Sequence, residues 1–192
     1  MSYRLIRKRM AACFVAFASI LAFIGLFAPA PQAYASSISA LNRKGVILVS
    51  RDPWNQSSAF TAALGHSGIV YSTSQIVESV ASGVKYGDNN WESVRNKMTA
   101  VSVYSTTAAQ DAAAADWARA RIGKPYNYDF YNMNTRNSFY CSQLIWAAYY
   151  DQYGVDLNTS AYDVFMYGAR LSAIAPTELI SSPDTFTIYS KG

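Results

Sequence analysis

The sequence predicts an α+β domain in which an antiparallel sheet packs against a helix that carries a cysteine. Three observations lead there. Residues 65–71 and 75–80 are short β-rich runs separated by Ser72-Thr73-Ser74, the pattern of a hairpin. Thr107-Ala108-Ala109-Gln110 has the capping-box form Ser/Thr-x-x-Glu/Gln and opens an alanine-rich run to Ile122, closed by Gly123. Cys141, Leu144, Ile145, Ala148 and Tyr149 recur at the spacing that places side chains on one helix face, and Gly154 is a natural stop. Strands before and after a set of helices, joined by hairpins, indicate α+β rather than a doubly wound sheet.

Taken in order, residues 1–35 read as a secretory signal. Arg4, Arg7, Lys8 and Arg9 form a basic head, an apolar run follows from Met10 to about Ala28, and Pro29 and Pro31 break it. Ala33-Tyr34-Ala35 supplies the small-x-small pattern for cleavage after Ala35, which implies a secreted or cell-envelope protein. The run approaches membrane-spanning length, so an uncleaved anchor is the alternative, and only then does the chain engage a membrane. Residues 36–43 read as a flexible lead-in and 44–192 as one domain.

Within that domain, Lys44-Gly45-Val46-Ile47-Leu48-Val49-Ser50 reads as a buried strand and residues 51–63 as a loop. A short helix over residues 91–98 and a strand over 100–104 precede the capped helix. A loop rich in Tyr, Asn and Phe leads to the cysteine helix. Residues 160–170 read as a third helix, capped by Thr159 or Ser160, before a one-turn element at 176–179 and a closing strand at 185–189.

Composition limits the function. The signal segment holds four of the 16 Lys+Arg and none of the 12 Asp+Glu, so the remainder is near neutral and the pI of about 9.0 is a property of the leader. No basic stripe is left with which to bind nucleic acid. The remainder also keeps one cysteine, Cys141, and one histidine, His66, too few for a four-ligand zinc site. No metal or other cofactor is implied.

A lone cysteine on an exported chain cannot form an intramolecular disulfide, and it lies at a helix N-terminus where unpaired N–H groups favour a thiolate. Read alone, Cys141 is equally compatible with a small buried apolar residue. A thiolate nucleophile needs a base, and His66 is the only imidazole. Glu78, on the neighbouring strand of the same hairpin, is within reach to orient it. The competing readings are a surface or capping histidine and a solvated strand glutamate.

Gly65-His66-Ser67-Gly68-Ile69-Val70, Ile76-Val77-Glu78-Ser79, Gly123-Lys124-Pro125-Tyr126, and Phe139-Tyr140-Cys141-Ser142-Gln143-Leu144-Ile145-Trp146, with the closing run from Pro176 to Pro183, together resemble one family. It is that of the circularly permuted papain-like hydrolases of the YiiX/YebB type, relatives of the NlpC-type peptidases. The histidine precedes the cysteine, which is the permuted order. The resemblance implies Cys141 as nucleophile, His66 as general base and acid, and Glu78 as the residue that orients the histidine. It also sets Tyr126 beside the cysteine, where its hydroxyl could donate to an oxyanion. In a chain with 15 tyrosines, a packing role for Tyr126 is slightly favoured.

Two positions depart from the family pattern: Gly45-Val46-Ile47 where Gly-Asp-Ile is frequent, and Gln143 where Cys-Ser-Glu-Leu is frequent. Both remove an acidic group and leave the triad whole. The implied activity is a thiol amidase or peptidase working through an acyl-enzyme on peptide amides of peptidoglycan. An ester hydrolase or acyltransferase on an acyl-lipid substrate is the alternative, and a non-catalytic cell-surface binding module is a third reading.

Overall fold

The structure is a computed structural model that describes residues 38–52 and 64–192. The expected signal segment and most of the expected loop at 51–63 lie outside the described residues. Among the described residues, eight strands and four helices follow one another as β1 (Ile47–Ser50), β2 (His66–Val70), β3 (Gln75–Val80), β4 (Gly83–Asp88), α1 (Trp91–Val94), β5 (Met98–Val103), α2 (Ala108–Arg119), α3 (Cys141–Tyr153), β6 (Val164–Met166), β7 (Ala169–Leu171), α4 (Glu178–Ser181) and β8 (Thr185–Lys191).

Six strands form one antiparallel sheet in the order β4-β3-β2-β1-β5-β8. Its central strands are buried on both faces, so they read as continuous apolar runs rather than alternating ones. Ile47, Val49, Ile69, Val77 and Val101 face α2 and α3, where Leu144, Ile145, Ala148, Tyr149 and Ala114 meet them. Val46, Leu48, Val70, Ile76 and Met98 face the other way, under Leu41 and Trp91. The expected α+β class, with a cysteine-bearing helix against an antiparallel sheet, is the observed one.

The capping box at α2 forms as written in the sequence: Gln110 N–H donates to Thr107 Oγ1 and Thr107 N–H to Gln110 Oε1, at 3.3 and 2.9 Å. The helix ends earlier than its composition implies, at Arg119, with turns carrying the chain to Gly123 at φ 91°. Beneath it Asp111, fully buried, accepts from Arg43 Nη1, Ser102 Oγ, Thr106 Oγ1 and the Tyr149 hydroxyl. That carboxylate ties the N-terminal segment, β5, α2 and α3 together.

Four expectations are corrected. The segment at 36–43 is not wholly a flexible lead-in: Ile38–Asn42 forms a 3-10 turn with Leu41 buried in the second core layer. Helix α1 covers only Trp91–Val94, because Met98 already pairs with Lys191 in the sheet. Strand β4 went unrecognised in the sequence, since its Lys85, Tyr86 and Asp88 face solvent at the sheet edge and leave little apolar signal. Residues 160–170 are not a helix. Glu178 Oε1 captures the Thr159 and Ala161 N–H groups and the Thr159 hydroxyl, removing the cap on which that helix depended. Beyond it, Tyr167 and Gly168 both have positive φ, the signature of a type I′ hairpin turn joining β6 to β7.

Candidate active site

Cys141 is the first residue of α3, preceded by Tyr140 in extended backbone. The helix start is fixed from three sides. Gln143 Oε1 accepts the Tyr140 N–H at 3.1 Å, Ser142 Oγ donates to Ile174 O at 2.7 Å, and Ser79 Oγ donates to Phe139 O at 2.5 Å. The sulfur is therefore held against β2, with the whole residue 7% exposed.

His66 is the first residue of β2. Gly65 before it, at φ 84°, passes so close to Ser50 O that any Cβ would overlap that oxygen, so the turn into the strand requires glycine. The imidazole is 3% exposed, and its Nε2 lies 2.7 Å from Glu78 Oε2. Glu78 reaches it because β3 pairs antiparallel with β2, Glu78 opposite Gly68, which puts the carboxylate on the same face as His66 two residues away. With Nε2 engaged, Nδ1 is the nitrogen that meets Cys141, which shares a hydrogen bond with the imidazole. The Trp91 ring covers the imidazole at 5.5 Å between centroids, and the Arg95 guanidinium lies 5.1 Å from the indole.

Electrostatics follow from these contacts. Burial works against the imidazolium, but the hydrogen bonds and negative charges of Cys141 and Glu78 outweigh it and raise His66 to about 9. Burial likewise opposes the thiolate. The His66 hydrogen bond and charge, joined by the side chain and backbone N–H of Ser67, still bring Cys141 below its ordinary value. Among the described residues the Ser67 hydroxyl has no other partner. Each partner therefore favours the charged form of the other, an arrangement suited to nucleophilic attack followed by proton delivery.

Tyr126 sits beside this pair. The Gly-x-Pro-Tyr element is wedged between β4 and the approach to α3: Val84 N–H donates to Lys124 O, and Phe139 and Asn127 N–H groups exchange with Pro125 O and Phe139 O. Burial and the charge on Cys141 push the phenol upward, so it stays a neutral donor. Its hydroxyl bonds to no other described residue, and its ring packs on Tyr128 and Phe130 at 4.8 and 6.5 Å. The packing role and a place at the cleft are thus both occupied by the same side chain.

A narrow cleft opens over Cys141, walled by Tyr126, Phe130, Tyr140, Tyr162, Ile174 and Pro176. Apart from Cys141, none of the described residues lining it is ionised at neutral pH; there is no Asp, Glu, Lys, Arg or His among them. The wall at 173–176 is held by Glu178, whose Oε2 accepts the Ala175 N–H at 2.7 Å, and by the Tyr140 hydroxyl, which accepts the Ile174 N–H at 3.1 Å.

Sequence reasoning placed Cys141, His66 and Glu78 at one site, and the structure brings them together. It missed Ser67 and Glu178, although they stand within the quoted Gly-His-Ser-Gly motif and the closing run, and it missed Trp91, for which no local pattern exists. Gln143 proves to lie away from the cleft. Fully buried, it accepts from Asn127 Nδ2 at 3.0 Å and donates through Nε2 to the carbonyls of Met133 and Thr135 at 3.0 and 3.2 Å, pinning the aromatic loop to α3. Gln143→Glu, the residue frequent in the family, is expected to cost about 2–4 kcal/mol at pH 7, because a carboxylate would face those carbonyls with no donor. Those carbonyls raise its folded-state pKa above the unfolded one. The loss should therefore shrink as pH falls toward 5, which chemical denaturation at both pH values measures.

Residues 43–189 match the family described as permuted papain-like amidase enzyme, YaeF/YiiX, C92 family. The uncharacterised protein YycO of Bacillus subtilis (strain 168) is 32% identical over 132 residues, which is 66% of this chain and 49% of YycO, so the chain spans about half the length of that relative. The crystal structure of YiiX from Escherichia coli O157:H7, described as a metalloprotein, resembles the fold with a TM-score of 0.58 at 21% identity, over 77% of this chain and 96% of that one. Among the described residues no three His, Cys, Asp or Glu side chains cluster to hold a metal ion, and the chain's one histidine has its Nε2 engaged by Glu78. With the sheet, the cysteine helix and the permuted order of His66 and Cys141 all in place, this chain belongs to the permuted papain-like amidase family.

Proposed function

We propose that this protein is a cysteine amidase or esterase in which Cys141, His66 and Glu78 act as a triad through an acyl-enzyme. The observation that carries the reading is the unbroken relay from Cys141 through His66 to Glu78, with its 2.7 Å carboxylate contact. The thiolate attacks the carbonyl carbon, and the negative charge moves to the carbonyl oxygen. The Cys141 N–H, which has no intrahelical acceptor, and the Tyr126 hydroxyl are the donors for it. The carbon–nitrogen or carbon–oxygen bond then breaks as imidazolium gives its proton to the leaving group. Water, losing a proton to His66, releases the acid and restores the thiolate.

The cleft favours one substrate class. Peptides of the cell wall carry carboxylates that call for Lys or Arg, whereas the wall of this cleft is aromatic and aliphatic. An uncharged acyl chain, as in an acyl lipid, fits it better, and this reverses the order in which the sequence ranked the two. The basic head and apolar run of residues 1–35 support export of the enzyme.

Nitrophenyl esters graded from acetyl to dodecanoyl, set beside nitroanilides and peptidoglycan fragments, test this. The expected result is a burst of nitrophenol, an acyl mass on the Cys141 peptide, and a rate that climbs with chain length. No adduct on Cys141 with any acyl donor would refute the triad, and turnover of the wall fragments alone would restore the peptide reading.

A further inference from the structure

Strand β4 is an edge strand, and its residue Gly87 pairs with Ile76 while Lys85 pairs with Glu78. Gly87 is not among the residues with positive φ, so the backbone gives no reason for glycine there. The reason lies in what stands over it. A Cβ built on Gly87 would overlap Glu78 Oε1 and come within 2.8 Å of Glu78 Cδ, with Ile76 Cγ1 next at 3.2 Å. The other carboxylate oxygen is the one that holds His66.

We propose that Gly87 is a positioning residue of the site: its missing side chain leaves the slot on β4 that seats the Glu78 carboxylate and fixes its reach to His66. The inference rests on the triad reading above and adds to it a residue that touches neither substrate nor sulfur. The carboxylate cannot keep its place when a methyl group is added, because it is buried and its other oxygen is already engaged by His66. It must turn, and the geometry of the 2.7 Å contact is lost.

The groups facing the pair define what the test reads. Cys141 faces His66 from α3 with Ser67 of β2 bonded to the sulfur, Trp91 covers the ring from α1, Lys85 lies opposite Glu78 on β4, and the Arg95 charge acts on Glu78 and on Asp52. None of these is changed by Gly87→Ala. Moving the carboxylate away destabilises the imidazolium, which in turn raises the thiol.

The experiment is the pH profile of Cys141 alkylation by iodoacetamide, followed by peptide mass, in the full chain. Four proteins are compared: wild type, Gly87→Ala, Glu78→Ala and the double variant. The expected result is a reactivity at pH 6 about tenfold lower in Gly87→Ala, equal to one unit of thiol pKa, with no further loss when Gly87→Ala is added to Glu78→Ala. If Gly87→Ala does not fold alone, the double variant folds, because the crowded group is gone. An unmoved profile in Gly87→Ala, equal losses in both backgrounds, or a double variant that also fails to fold would overturn the inference and leave the triad standing. A wild-type Cys141 that alkylates only as an ordinary thiol would remove the triad itself, and the inference with it.

Discussion

His66→Ala is expected to lower Cys141 alkylation at pH 6 by about a hundredfold and hydrolysis by about 10⁴-fold. The imidazole supplies the leading favourable contributions to the thiolate, and burial is the largest opposing one. Without the ring, burial is answered only by Ser67 and the helix N-terminus, and the thiol returns to the alkaline range. Wild-type hydrolysis should rise with pH as the thiol ionises, at a value below the usual cysteine range, and fall again near 9 as His66 loses its proton. Both limbs belong to the coupled pair rather than to either residue.

The same contacts couple to stability with opposite signs. His66 is raised above its unfolded value of about 6.5, so its contribution is complete below that pH and is lost as pH climbs through about 9. Cys141 is depressed, so its contribution is present at high pH and is lost as pH falls through its folded value.

Asp111→Ala should be the most damaging single change far from the cleft, at about 3–5 kcal/mol of unfolding free energy. Removal of the carboxylate leaves the Arg43 charge, 19% exposed, without its counter-ion. It also strips an acceptor from Ser102, Thr106 and the buried Tyr149 hydroxyl, so one substitution loosens four elements at once. Urea denaturation measures the loss. Alkylation of Cys141 at a temperature where the variant is still folded should be unchanged, because none of these groups touches the sulfur.

What the sequence revealed and what it hid divide along physical lines. The helix carrying Cys141 was legible from the helical recurrence of Cys141, Leu144, Ile145, Ala148 and Tyr149 and from its stop, Gly154, which adopts the left-handed conformation that glycine favours, while burial of every residue from Cys141 to Tyr149 exceeds the one inward face expected. The His66–Glu78 hairpin was legible because both strands are short, β-rich and joined by a serine turn. The failures arose where a distant side chain decided local structure. Glu178 lies far along the chain from Thr159, and its capture of that cap could not be seen in residues 159–170 alone. Strand β4 carries polar residues because it borders solvent, and Gly87 looks in the sequence like one more turn glycine. Gln143, read as a lost acidic group of the cleft, is instead a clamp on the neighbouring loop, a difference visible only once its partners are known.

The order of the elements also times the chemistry. The histidine and its carboxylate lie on a local hairpin that can pair soon after it is made, whereas the cysteine helix arrives later and gains its charge only on docking against β2. An unfolded chain therefore carries an ordinary, slow thiol, and the nucleophile comes into being only when α3 packs against the sheet. The fold itself thus acts as the safety catch on its own reactive atom.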